Sequence, residues 1–192
     1  MARPQEFSTA EVLRKAMGVF WKKGYEATSL NDLLAATGLS KSSLYGTFGG
    51  KQELFLAAFD AYREERARDM QRVLEQGPAR QAIEVFFRMI VSDARDPAHG
   101  SGCMSINQAV ELAPHNLDVR CRVEEDFRRI EDALTRAIEK GQAEKSVASH
   151  RAPRDLARLL VLAFPGLQVM VRAGTDPAWL ESSLAQLMSL LE

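Results

Sequence analysis

Residues 28–53 read TSLNDLLAATGLSKSSLYGTFGGKQE. Apolar residues recur at helical spacing on either side of Gly38: Leu30, Leu33 and Leu34 before it, Leu44 and Phe48 after it. A hydroxyl residue precedes each run, Thr28 or Ser29 ahead of the first and Ser40 ahead of the second. Such side chains cap helix N-termini by accepting a backbone N–H. Gly38 supplies the turn, Leu39 plugs the small core, and Gly49-Gly50 ends the second helix. The stretch predicts a helix-turn-helix, whose second helix enters the DNA major groove with its N-terminal residues toward the base edges.

Outside this stretch the pattern is helical, with no strand alternation, internal repeat or low-complexity tract. A first helix is expected from about Thr9 to Lys23, capped by Ser8 or Thr9 and ended by Gly24, burying Leu13, Ala16, Met17, Phe20 and Trp21. A long fourth helix begins at Lys51 and reaches about Glu75, and Pro78 starts a fifth, to about Ala94. Residues 95–102 read as a loop and Met104 to Leu112 as a short sixth helix. Asn116 caps a seventh to about Lys140, where Gly141 closes it. Pro153 opens an eighth to about Ala173, which Pro165 is expected to kink because proline lacks the backbone donor. Residues 174–177 reset the chain for a ninth, to about Leu191.

The 192 residues are 46% hydrophobic and 27% charged, as in a soluble globular protein, and the net charge of −1 argues against an indiscriminate nucleic-acid binder. The charge is unevenly placed. Residues 1–51 carry seven Lys/Arg against four Asp/Glu, and residues 52–192 eighteen against twenty-two, so a basic front precedes an acidic body. The N-terminus lacks the apolar core of a secretory signal, and the longest apolar run is too short to span a bilayer. With two cysteines, Cys103 and Cys121, a reducing cytoplasm without a structural disulfide is expected.

Lys41, Ser42 and Ser43 occupy the opening turn of the second helix, where a cation can reach a guanine edge or a phosphate and hydroxyls can donate or accept. Tyr45 and Thr47 stand further along, placed to hold flanking phosphates. Thr28 and Lys51 sit at the N-termini of the adjoining helices, positions that suit anions. The arm ARP (2–4) could place Arg3 in a minor groove, as basic arms do in other helix-turn-helix proteins, and the opposing reading is a disordered arm.

The run GYEATSLNDLLAATGLSKSSLYGTFGGKQELF (24–55) resembles the N-terminal signature of the TetR family of bacterial transcriptional regulators. The matching elements are Gly24-Tyr25, Thr28-Ser29, Gly38-Leu39-Ser40, Leu44-Tyr45, Phe48, Lys51 and Leu54-Phe55. Two positions depart from it. Gly46 stands where a larger DNA-facing side chain is usual, and it weakens the helix by roughly 1 kcal/mol relative to alanine. Gly50 stands where a small hydroxyl residue often caps the fourth helix.

The resemblance implies an all-α protein of about nine helices: a three-helix DNA-binding domain over residues 1–50, then a helical ligand-binding and dimerisation domain over 51–192. The implied function is regulation, as a repressor, by a homodimer bound to a palindromic double-stranded operator and released by a small-molecule effector. No enzyme activity, cofactor, metal or membrane attachment is expected. Pairing is assigned to the last two helices through Leu156, Leu159, Leu160, Ala163, Phe164 and Leu167 on the eighth and Leu180, Leu184, Leu187, Met188 and Leu191 on the ninth. The implied ligand pocket lies between the fourth and eighth helices, and its occupation moves the fourth. Phe86, Phe87, Met104, Asn107, Gln108, Phe127, Phe164 and Gln168 mix apolar surface with polar groups as such pockets do.

An alternative signal is redox. Cys103 follows Gly102 at the start of the sixth helix, with Arg95 and His99 near in sequence, where a helix N-terminus favours the thiolate. The opposing reading is a small packed cysteine; Cys121 reads as packing or as an inter-subunit contact. An enzyme would need a catalytic constellation, but His99, His115 and His150 lack metal-pair spacing and Gly49-Gly50-Lys51 lacks P-loop spacing. Glu124-Glu125-Asp126 reads as a solvated helix face. An adaptor without DNA affinity would need neither the Lys41-Ser42-Ser43 turn nor Lys51.

Overall fold

A computed structural model describes residues 8–93 and 102–192. Arg3, Arg95 and His99, together with the end of the fifth helix at Ala94 and most of the loop expected over 95–102, lie outside the described residues. Among those described are nine α-helices and a closing 3₁₀ turn, with no strand, which is the expected all-α class. They are α1 (Thr9–Lys23), α2 (Leu30–Thr37), α3 (Lys41–Phe48), α4 (Lys51–Leu74), α5 (Ala79–Asp93), α6 (Met104–Glu111), α7 (Leu117–Ala143), α8 (Pro153–Arg172) and α9 (Pro177–Met188). The chain divides into two compact units, Met1–Glu65 and Arg66–Glu192, and the division falls inside α4. Among the described residues no helix is long and apolar enough to cross a membrane.

In the first unit, α1 ends where Gly24 turns to φ 84° and its N–H reaches the Phe20 carbonyl at 2.8 Å. Val12, Ala16 and Phe20 form its buried face, while Leu13, Met17 and Trp21 are half-buried. The two apolar stripes lie one residue apart, and the aromatic core selects between them: Phe20 meets the edge of Phe55 at 5.1 Å, and Phe55 stacks on Phe59 at 5.7 Å. Ser29 caps α2 with a reciprocal box. Its hydroxyl accepts the Asp32 N–H at 3.1 Å, and the Asp32 carboxylate accepts the Ser29 N–H at 2.9 Å. Lys23 donates to the same carboxylate at 2.6 Å, tying the end of α1 to the start of α2. Gly38 adopts φ 75°, the left-handed conformation that glycine takes without a Cβ clash.

In the second unit α7 packs on α8, with α5 laid against α7, α8 and α9 and α6 against α7. Leu156, Leu160, Phe164 and Leu167 of α8 are buried in this unit's own core, as are Leu180, Leu184 and Met188 of α9 and Leu191 after it. These residues, assigned from sequence to pairing, instead hold the chain's interior together. The apolar side chains of α8 that remain exposed are Leu159, Leu162 and Val169, with Trp179 exposed on α9.

Gly141 does not close α7, which continues through it to Ala143. A Cβ at Gly141 would lie 2.5 Å from Val147 Cγ2 and 3.2 Å from the Ala79 Cβ, so the glycine answers a packing need. The chain reverses two residues after α7, at Lys145 with φ 64°. In that turn Glu144 accepts the Ala79 N–H at 2.6 Å, which caps α5 from a distant part of the sequence. This hydrogen bond, and then one from the Ser146 hydroxyl, hold the Glu144 carboxyl below its ordinary range. α8 runs unbroken through Pro165.

Candidate nucleic-acid interface

α3 is pinned by one residue. Leu44 is buried, Phe48 and Ser43 are half-buried, and Lys41, Ser42, Tyr45, Gly46 and Thr47 are exposed. Ser40 caps the helix by accepting the Ser43 N–H at 3.1 Å, and its oxygen also lies 3.0 Å from the Ser42 hydroxyl and 2.8 Å from that of Ser43. The three hydroxyls form one cluster at the helix N-terminus, where unpaired N–H groups concentrate positive potential. A cation, hydroxyls and a phenol thus share one solvent-facing surface, the composition that phosphate and base-edge contacts require. Tyr45, 48% exposed, gives this surface its largest side chain.

Lys51 is half-buried at the start of α4, with its ammonium 4.3 Å from the Tyr25 ring centre, a cation–π distance. Tyr25 in turn meets Phe55 edge-on at 4.9 Å. Burial, and then the nearby Glu26 and Glu53 carboxylates, push the Tyr25 phenol above its ordinary pKa.

Thr28 is placed differently from the expectation. It is 1% exposed, and its hydroxyl donates to the Gly24 carbonyl, so the side chain is spent inside the loop between α1 and α2. The cap of α2 is Ser29, and the Thr28 side chain offers no surface to a phosphate. The other six expected contacts all reach solvent, fully or in part.

Glu53 was not anticipated. Its carboxylate folds back over Gly49 and Gly50: a Cβ on Gly50 would lie 2.9 Å from Glu53 Oε2. An acid at the third position of a helix commonly returns to its N-terminus, and here the missing Cβ of Gly50 leaves it room. The Gly-Gly-Lys-Gln-Glu spacing carries that signal, and it explains a glycine where a hydroxyl cap is usual.

The residues expected to line a ligand pocket separate into two sets. Phe87 and Phe164 are buried in the hydrophobic core of the second unit, and Phe86 and Phe127 pack against it; Phe86 stacks on Phe164 at 6.0 Å. Asn107 and Gln168 are half-buried, and Met104 is fully buried. Gln108 is 1% exposed, and its Nε2 donates to Glu111 Oε2 at 3.0 Å while its Oε1 has no partner among the described residues. Three residues earlier on α6, the Ser105 hydroxyl donates to Asp126 on α7 at 2.7 Å. Cys103 is half-buried at the N-cap of α6, and Cys121 is exposed on α7. Among the described residues no three His, Cys, Asp or Glu side chains are grouped to hold a metal ion.

Residues 12–58 match the model of the bacterial regulatory proteins of the tetR family, and residues 77–187 match a tetracyclin repressor-like C-terminal domain. The HTH-type transcriptional regulator YezE of Bacillus subtilis is 40% identical over 147 residues, 74% of this chain and 76% of that protein. The HTH-type transcriptional repressor ComR of Escherichia coli is 31% identical over 176 residues, 91% of this chain and 84% of that one. Among solved structures, a cysteine mutant of the TetR family regulator CifR in complex with 26-bp operator DNA is 26% identical. It covers 99% of this chain and 100% of CifR, with a TM-score of 0.87.

Proposed function

Because the chain belongs to the TetR family of bacterial regulatory proteins, we propose that this helix-turn-helix transcriptional regulator is a cytoplasmic repressor. It binds a palindromic operator as a homodimer and leaves it when a small molecule binds. The observation that carries the DNA side is the α3 surface, where Lys41, Ser42, Tyr45 and Thr47 are exposed around the Ser40-capped N-terminus. Lys41, Ser42 and Ser43 read bases; Tyr45, Thr47 and Lys51 hold phosphates. Residues 1–50 serve as the reader and 51–192 as the signal and pairing domain.

The exposed face of α8 supports pairing. Leu159, Leu162, Gly166 and Val169 are exposed at spacings of three, four and three residues, the interval of a helix–helix seam. Leu162 is 77% exposed, and among the described residues nothing lies within 4 Å of a Cβ built on Gly166, so a second helix can approach closely there. A homodimer aligns two α3 helices with two half-sites of a palindrome.

Gln108 supports the ligand side. The bond to Glu111 fixes which amide atom is the nitrogen, so a buried carbonyl oxygen is left without a donor among the described residues. An effector carrying an N–H or O–H group satisfies it. Such an effector releases DNA to the extent that it binds the non-DNA-binding state more tightly.

The test is selection from a random duplex pool, repeated with candidate effectors. A palindrome should be enriched and lost on effector addition; enrichment of no palindrome refutes the reading. The placement of Cys103 at the α6 N-cap favours a second reading, in which a thiol-directed electrophile is the signal. If the Cys103→Ser protein loses operator affinity under an electrophile as wild type does, that second reading fails.

A further inference from the structure

Glycine within a helix is destabilising relative to alanine, because it gives up more backbone freedom on folding, so a helix-interior glycine calls for a reason. Gly141 has one inside the protein, in the contact its Cβ would make with Val147. Gly46 has none. Its φ is not among the positive ones, no atom of the described residues lies within 4 Å of a Cβ built there, and it faces solvent. Nothing among the described residues requires the glycine.

Its position supplies a reason. At about 100° per residue, Ser42 and Gly46 stand one turn apart, each roughly 160° around α3 from Leu44. Leu44 is the fully buried residue that seats the helix. Ser42 and Gly46 are therefore the ridge of α3 furthest from its core, and that ridge is a hydroxymethyl group followed by bare backbone. The larger exposed side chains, Lys41, Tyr45 and Thr47, flank it. Gly18 and Gly166 are also exposed in open space, but they lie on α1 and α8.

We propose that Gly46 is a close-approach residue of the DNA reader. Its bare backbone lets the outer ridge of α3 seat against the base edges, and a thymine methyl or an equivalent base-edge group takes the volume a Cβ would fill. Gly46 then sets specificity by absence: the seat accepts a base pair that a side chain would push away. The inference rests on α3 being the recognition helix.

The experiment uses the duplex that the wild-type protein selects from a random pool, a scrambled duplex of equal length, and the variants Gly46→Ala, Gly46→Leu and Tyr45→Ala. Gly46→Ala should melt at a higher temperature than wild type, because alanine is the better helix former. It should nonetheless bind the selected duplex about five- to a hundredfold more weakly, the scale of one disrupted base-pair contact. Gly46→Leu should bind more weakly still, and the scrambled duplex should lose much less in both. Undiminished binding by Gly46→Ala, while Tyr45→Ala weakens, overturns the proposal and leaves the reading of α3 intact. Equal losses on both duplexes overturn it too, since they place the clash at the sugar–phosphate backbone. If neither Gly46→Leu nor Tyr45→Ala changes binding, the assignment of α3 as reader fails.

Discussion

The Lys51 ammonium stands 4.3 Å from the centre of the Tyr25 ring, so the first residue of α4 is held by an aromatic face rather than by a carboxylate. A ring attracts the cation without neutralising it, and the charge remains available to a phosphate. Lys51→Ala should weaken binding to selected and scrambled duplexes alike. It should also flatten the dependence of log affinity on log salt by about 1, as expected for one lost phosphate contact. Anisotropy titrations over a range of salt concentrations measure both, and an unchanged slope excludes Lys51 from the phosphates.

Lys41 stands in the first turn of α3, exposed beside the hydroxyl cluster. Lys41→Ala and Ser43→Ala should change which bases are preferred, by roughly 1–3 kcal/mol at each base pair read. Repeating the pool selection with each variant should relax one or two positions of the selected site. A uniform loss across sequences instead assigns both residues to the phosphates.

Thr28 donates its hydroxyl to the Gly24 carbonyl in a buried loop. Thr28→Val keeps the shape and deletes the donor, leaving a carbonyl in want of a partner, at a cost of about 1–3 kcal/mol in stability. Urea denaturation should show that loss, while the folded variant retains operator affinity and salt slope. A shallower salt slope at full stability points instead to a phosphate contact.

Hydrogen bonds from Lys23 and then Ser29 hold the Asp32 carboxyl far below the ordinary aspartate value of 3.8. A folded-state pKa below the unfolded one contributes stability that is complete above the unfolded value and fades as pH falls toward the folded one. Asp32→Asn should therefore be less stable than wild type at pH 7 by a margin that stays level down to about pH 5 and narrows below about 4. Urea midpoints across that range test this, and a margin independent of pH shows that the charge contributes nothing.

Leu162 is the most exposed large apolar residue of α8. Leu162→Glu places a charge in the seam assigned to pairing, where like charges of two copies would meet. It should shift the protein to monomer in sedimentation and weaken operator binding, with the melting of each chain's own core little changed. A dimer unaffected by the change moves the pairing surface elsewhere.

The parts of this fold that were legible in the sequence are those set by local chemistry. Gly24, Gly38 and Gly49 stop helices, and Ser29, Ser40 and Asn116 start them, because caps and left-handed turns act over three or four residues. Choices between neighbouring apolar stripes were not legible: the Val12 face outranks that of Leu13, and on it Phe20 meets Phe55 of α4, itself stacked on Phe59. The direction of α8 was likewise hidden, since apolar residues surround most of its circumference and only packing shows which ones α5 and α7 cover. Gly141 reads locally as a stop, yet it is needed for contact with Val147 after the turn. At the site, the exposed α3 residues followed from periodicity. The return of Glu53 is a local signal that could have been read, while the burial of Thr28 and the Tyr25 seat of Lys51 depend on how the loops fold.

The Ser40 oxygen receives the Ser43 N–H and lies within hydrogen-bond reach of two further hydroxyls, Ser42 and Ser43. A hydroxyl owns a single proton, so Ser40 can donate to only one of them, and the other must donate to Ser40. At least one of the two serines on the reading turn therefore turns its hydrogen inward and shows only lone pairs to the outside. While the cluster holds, that serine can ask a base for a proton but cannot offer one. Facing a base, such a hydroxyl would suit the amino groups of adenine and cytosine, not the carbonyl edges of guanine and thymine.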